Sequence, residues 1–217
     1  MIAESALQAL RASLRGPVVM PQDVDYDDFL RIHNAMIDRR PAAIVRCAGV
    51  ADVVAAVKFA RQSTLRVAVR GAGHNIAGTA LCEGGVVIDL SRMKSVRVDP
   101  ARGTVRVEAG ATWADLNHEL QVFGLAATGG YVGTTGVAGL TLGGGLGWMV
   151  RKHGLALDNV LAVDVVTADG RVLTASGSEH EDLFWGVRGG GGNFGIVTSF
   201  EFKVHPAGVV WAGLTMH

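Results

Sequence analysis

The chain has 217 residues, 49% of them hydrophobic, and its formal charges cancel to zero. That length serves one large domain or two small ones with a sizeable core, and the apolar content excludes long disorder. The neutral balance leaves no electrostatic footprint for nucleic acid or an anionic membrane surface, so neither is expected as a partner.

The opening stretch, MIAESALQALRASLRG, carries Glu4, Arg11 and Arg15 and lacks the apolar run of a signal peptide. It reads as a short amphipathic helix, part of a helical lead-in over residues 1–35. PAAIVRC (41–47) reads as a strand. Val50, Val53, Val54, Val57 and Ala60 then repeat at helical spacing on one face. LRVAVR (65–70) is the next strand, so residues 42–70 read as a βαβ unit, with the glycine turn RGAGHNIAG at the carboxyl end of its second strand. GGVVIDLS (84–91) is a further strand, and SVRVDPARGTVRVEAG reads as two strands around a turn. ATWADLNHELQVFG opens on a capping-box-like pair, Thr112 and Asp115, with Gly124 as the helix stop. NVLAVDVVTADGRVLTAS is a hairpin turning at Asp169-Gly170. SGSEHEDLFWGVRGGGG reads as a short helix capped by Ser178 and Glu181, and NFGIVTSFEFKVHP as a strand of alternating character. The order, βαβ first and hairpins with inserted helices afterwards, predicts an α+β domain over 36–206 with subdomains 36–91 and 92–206.

Three glycine-rich stretches carry the candidate chemistry. In Arg70-Gly71-Ala72-Gly73-His74-Asn75, the glycines let the backbone approach a ligand, and successive N–H groups can form a nest for a pyrophosphate. This is not the dinucleotide fingerprint G-x-G-x-x-G, which wants glycine where Ile76 stands. The second stretch lies in a run from Val122 to Val150 that has no charged residue and ten glycines. Each glycine costs a helix ~1 kcal/mol, so the run is a poor membrane span. Its bare amides and the hydroxyls of Thr134, Thr135 and Thr141 instead suit a ligand that needs many donors at close range. The third stretch, RGGGGNFGIVTSF (188–200), adds more open backbone. Three such surfaces imply one large, extended cofactor.

Other residues have plainer readings. His33, His118, His153, His180 and His205 lack metal-ligand spacing, and no metal site is expected. Cys47 and Cys82 are isolated and read as reduced structural thiols of a cytoplasmic protein. Trp148 and Trp185 read as core, and Asp158-Asn159 as a turn or cap. Arg66 and Arg70 stand at the strand that leads into the turn, where an arginine is either solvated or offsets phosphate charge. No catalytic constellation stands out.

Taken together, GAGHN, the Gly/Thr run and GGGGNFGIV resemble the FAD-binding domain of the vanillyl-alcohol oxidase/p-cresol methylhydroxylase superfamily, closest to the berberine-bridge-enzyme-like oxidases. The likeness runs from Arg40 to Pro206. It implies a two-subdomain fold of the p-cresol methylhydroxylase type and an FAD-dependent oxidase acting on an alcohol, sugar or similar C–H donor, with oxygen as acceptor. It places Arg70 to Asn75 and Gly78 at the pyrophosphate loop. Gly129, Gly130, Thr134, Thr135, Gly136, Gly139 and Gly144 line the flavin and its phosphates, and Ile196 and Val197 face the ring or ribityl region. His74 occupies the position that commonly carries the flavin through its 8α-methyl group. Some members attach the flavin a second time through a cysteine, at or near Val132 here; no cysteine lies in this run, so one link is expected. The family's substrate domain begins at about 207, which leaves the catalytic base and substrate pocket outside this chain, in a missing domain or a partner chain; the apolar surface that a missing domain would expose makes self-association or such a partner chain an expectation. Alternative readings are a stand-alone FAD module without catalysis, and a non-covalent reductase of the UDP-N-acetylenolpyruvoylglucosamine reductase type, against which His74 argues.

Overall fold

The computed structural model describes residues 2–211, 213 and 215. Of the segment 207–217, expected to begin a second domain, residues 212, 214, 216 and 217 lie outside the described residues, as does residue 1.

The first layer is a four-stranded sheet. Its strands are β1 (Val18–Val19), β2 (Ala43–Arg46), β3 (Val67–Arg70) and β4 (Val86–Asp89), in the order β1-β2-β4-β3. β2 and β3 flank α3 (Val50–Gln62) in sequence, as the βαβ reading predicts, but β4 lies between them and runs parallel to both. β1 comes from the lead-in and pairs antiparallel with β2. Side chains alternate across a strand, and in β2 and β4 both faces are covered, whereas edge strand β3 leaves Val67 and Val69 exposed. Ala43 and Val45 point into the main core with α1 (Glu4–Ser13) and α3, while Ile44 faces a smaller cluster with Tyr26 and Leu81. Tyr26, in the short α2 (Tyr26–Phe29), is buried because its hydroxyl donates to Pro41 O at 2.7 Å. Asp52 fastens α1 to α3: its carboxylate accepts from the N–H groups of Arg15, Gly16 and Ala48.

The second layer is an antiparallel sheet of β5 (Val96–Asp99), β6 (Thr104–Glu108), β8 (Val160–Val166), β9 (Val172–Ser176) and β10 (Ile196–Lys203), in the order β5-β6-β10-β8-β9. β10 is central and is buried from Ile196 to Phe200 without a break, so the expected alternation is corrected: both faces of the strand are covered. Asp164 on β8 accepts hydrogen bonds from Ser199, Thr174 and Arg106, which belong to three of the four other strands, β10, β9 and β6. Burial pushes its carboxyl up, but these three donors outweigh burial and hold it below the usual carboxylate range. α4 (Trp113–Gln121) starts on the foreseen capping box, with Thr112 and Asp115 satisfying each other's N–H, and buries Trp113, Leu116 and Leu120.

Some expectations are corrected. Trp148 and Trp185 are 81% and 75% exposed, whereas the indole in the core is that of Trp113, 1% exposed. α7 (Glu181–Gly190) begins on His180 at φ +47° and has no side-chain cap. Ser178 is used two residues earlier: its N–H donates to Ser176 Oγ in the turn that follows β9. The Gly/Thr run hides a helix, α5 (Val137–Leu142), which buries Val137, Ala138 and Thr141 on one face. The run also leads into α6 (Val150–His153). A two-stranded ribbon of β7 (Leu125–Ala126) and β11 (His205–Pro206) ties the far end of the chain to the exit of α4. No helix among the described residues is long and apolar enough to cross a membrane.

Candidate functional site

The glycine turn after β3 and the Gly/Thr run after β7 come together. A Cβ on Gly136 would stand 3.0 Å from Ala72 Cβ and 3.1 Å from Ala72 N, so glycine there allows the two loops to touch. The third stretch joins through Ala109. Its N–H donates to Thr198 O at 3.0 Å, and its carbonyl lies 3.2 Å from where a Cβ on Gly71 would be. Ile196 and Val197 pair with Val166 and Val165 of β8 on one side only; β6 reaches no further than Ser199. One backbone edge of Ile196-Val197 is therefore free of ladder partners beside the Gly71 turn.

His74 sits where the loops meet. Thr134 Oγ1 is 3.2 Å from its Nε2, and Thr135 Oγ1 is 3.5 Å from its Nδ1. The ring of His33 stacks on it, with centroids 4.3 Å apart and planes 14° apart. Burial, and then the neighbouring His33, lower the pKa of His74 below the ordinary imidazole value. Both effects favour the neutral ring, in which one nitrogen carries a lone pair.

The residues fit a large ligand rich in phosphate and carbonyl oxygens. Among the described residues, no backbone N–H from Gly71 to Ala77 donates to any acceptor in the chain, and the same holds from Gly129 to Thr134. Two runs of unspent donors on touching loops are what a pyrophosphate and a flavin ring call for. Thr141 Oγ1, on the buried side of α5, likewise has no partner. The glycines divide by task. Gly129 and Gly130 leave room for Trp113 and Leu140, since a Cβ would come within 2.3 and 2.6 Å of those side chains. Gly139 has open space where its Cβ would be, whereas Gly144 is buried against Leu157 and its φ of +125° is what calls for glycine.

Two expected contacts lie elsewhere. The Arg70 guanidinium is committed to the carbonyls of Phe29 and Arg31. Gly78 is buried, and Ile37 fills the space at 2.7 Å where its Cβ would go. Both face the N-terminal segment, not the meeting point of the loops. Sequence reasoning also missed His33, Asn34 and Arg39, which touch this loop from the supposed lead-in and its border. IHN and DRRP carry no glycine signal and no motif period, so only their hydrogen-bonding residue types hinted at a role. Cys47 and Cys82 are both free and buried, and burial raises both thiols; Cys82 packs against Gly85 under the first sheet, away from His74. No cluster of potential metal ligands occurs among the described residues.

Comparison with known proteins gives this geometry its context. A family model described as FAD binding domain matches residues 41–176. The chain is 40% identical over 201 residues to (R)-6-hydroxynicotine oxidase of Paenarthrobacter nicotinovorans, covering 93% of this chain and 44% of that one. Its structure is similar to that of BBE-like 1 from Physcomitrella patens, with a TM-score of 0.88, 33% identity, and 92% and 44% of the two chains covered. It also resembles the xylooligosaccharide oxidase of Myceliophthora thermophila C1 in complex with xylobiose, with a TM-score of 0.85, 33% identity, and 93% and 43% covered. The chain thus spans less than half the length of these relatives.

Proposed function

Because the chain belongs to the FAD-binding domain family and has the p-cresol methylhydroxylase-type fold, we propose that it is the FAD-binding part of a flavin-dependent oxidase. Its substrate class is an alcohol, sugar or similar C–H donor, with oxygen as the acceptor. The observation that carries this reading is the unspent amides of two touching loops around a hydroxyl-flanked imidazole.

FAD, when bound, supplies the two-electron redox chemistry, and the protein supplies binding and orientation. The amides of Gly71 to Ala77 are placed to receive the pyrophosphate, and the Gly129–Thr134 amides and the free edge of Ile196-Val197 to receive the flavin carbonyls and ribityl chain. His74 is the point of attachment to the flavin 8α position. Its stacked plane and the two threonine hydroxyls fix the ring, and the exposed Thr134 hydroxyl can rotate away to free Nε2. No cysteine neighbours it in the Gly/Thr run, so the tether is single. The relatives named as a hydroxynicotine oxidase and a xylooligosaccharide oxidase support oxidation at a C–H bond of a small organic donor. The substrate pocket and catalytic base reside in a further domain or partner chain, which the length of the relatives supports. Two free, buried thiols suit the cytoplasm.

The test is acid denaturation of the purified chain. Yellow, fluorescent flavin that stays with the polypeptide is expected, and its complete release from the wild type would sink the tether. Peroxide formation over a panel of alcohols and sugars, with the substrate domain supplied, then reports the oxidase activity.

A further inference from the structure

One wall of the His74 site comes from outside the residues that match the FAD-binding family. The match begins at residue 41, and the ring stacked on His74 belongs to His33. Burial does not put that ring there, because His33 is exposed. Its own segment does. Phe29, Leu30 and Ile32 pack on the smaller core cluster, and the Arg70 guanidinium holds the carbonyls of Phe29 and Arg31. His33 N–H donates to Gly73 O at 3.0 Å, and Asn34 Nδ2 donates to Ile76 O at 2.8 Å. The segment thus grips the turn on both sides of His74 and lays one imidazole flat on the other.

A neutral imidazole keeps its free lone pair in the ring plane, at the rim of one nitrogen. A neighbour on the face therefore holds the plane without covering either nitrogen, and the rim of His74 stays turned toward Thr134 and Thr135. Attachment to the flavin 8α carbon needs such a presentation. The ring nitrogen forms the new bond, the 8α methyl group and the imidazole each give up one proton, and two electrons pass through the flavin to oxygen. Correct orientation of an attacking atom is worth orders of magnitude in rate. A partner on the face supplies it by shape and needs no nitrogen of its own.

We propose that His33 is a positioning residue for flavin attachment: its flat ring fixes the plane of His74, so that it governs the rate of attachment and not the affinity for FAD. This rests on the reading that His74 is the point of attachment.

The test uses the full chain produced under riboflavin starvation and mixed with FAD in air at about pH 8. That lies well above the ~6.5 of a free imidazole, so protonation plays no part. Acid-stable flavin is followed in time by gel fluorescence. His33→Ala slows attachment by about tenfold or more, and His33→Phe, which keeps a flat ring, stays within about twofold of the wild type. FAD affinity is measured with His74→Ala in the background, where no attachment competes, and adding His33→Ala there changes it by less than about twofold. Attachment at the wild-type rate in His33→Ala would overturn the proposal. So would a His33→Phe as slow as His33→Ala, by assigning the effect to an imidazole nitrogen, and so would a parallel loss of FAD affinity, by making His33 a brace for the whole turn. A wild-type chain that binds FAD and releases all of it in acid would remove the tether, and the proposal with it, while the FAD reading stands. A wild-type chain that binds no FAD would remove all three.

Discussion

Among the described residues, two stacked histidine pairs have nearly the same geometry and opposite surroundings. His33 and His74 lie 4.3 Å apart with planes at 14°, and His153 and His205 lie 3.7 Å apart at 17°. In the first pair the ring nitrogens of His74 meet two threonine hydroxyls, which rotate and can yield. In the second, His205 Nε2 meets Asn159 Oδ1 at 2.7 Å; that oxygen can only accept, so His205 donates. Asn159 is itself buried and shares its amide hydrogens among Thr128 Oγ1 and the carbonyls of His153 and Leu155. The lesson is that stacking alone does not set how a ring nitrogen is held. The difference lies in whether the ring nitrogen faces a group that can step aside or one locked into a network.

The sharpest way to break the comparison is to remove one histidine from each pair. His74→Ala is expected to abolish acid-stable flavin altogether, whereas His205→Ala retains it; gel fluorescence after acid precipitation reads both. Next in size is Asn159→Ala. It leaves His205, Thr128 and two carbonyls without their partner, and is expected to cost about 2–3 kcal/mol in urea unfolding. A value near zero would mean that the second pair is as loosely held as the first.

Smaller effects concern protonation. His33→Phe keeps the stack but removes the second imidazole, so the titration of His74 should rise toward ~6.5 when followed by NMR. It should not reach that value fully, because burial is the larger cause of the lowering. For His205, burial leads and His153, Lys203 and Lys152 add to the lowering. In such a case the unfolded chain binds more protons than the folded one. Stability is therefore retained above ~6.5 and lost as pH falls from there to the lowered folded-state value, where the loss levels off. His205→Gln should flatten that slope in a series of melts between neutral and mildly acidic pH, and an unchanged slope would assign the acid sensitivity elsewhere.

Much of this arrangement was legible in the residues. The strand-turn at Arg70-Gly71, the capping box at Thr112 and the hairpin at Asp169-Gly170 are local events, set by chemistry within a few positions, and the structure has all three. His74 was legible because an imidazole is out of place among glycines. What escaped depended on distant packing. β4 enters between β2 and β3 through pairings that no local pattern announces. The run around α5 looks like loop by glycine content, yet Gly129 and Gly130 are there to admit Trp113 and Leu140. Trp148 and Trp185 were assigned to the core by residue type alone, but they stand on outer faces. Asn159 and Arg39 look like ordinary polar residues until their acceptors, up to 42 positions away, are known.

The place of β4 also bears on how the protein is made. Three segments that build the His74 pocket leave the ribosome far apart: residues 32–39, the turn at 71–78 and Thr134-Thr135. Among the described residues β3 pairs only with β4, so that pairing is complete only once residue 89 has been synthesised. The threonines follow still later. Long-range parallel pairing is slow to form, and N-terminal units tend to fold first during synthesis. The first sheet can therefore close before the second is made, and His74 gains its threonine partners only after β4, β5 and β6 have all been synthesised.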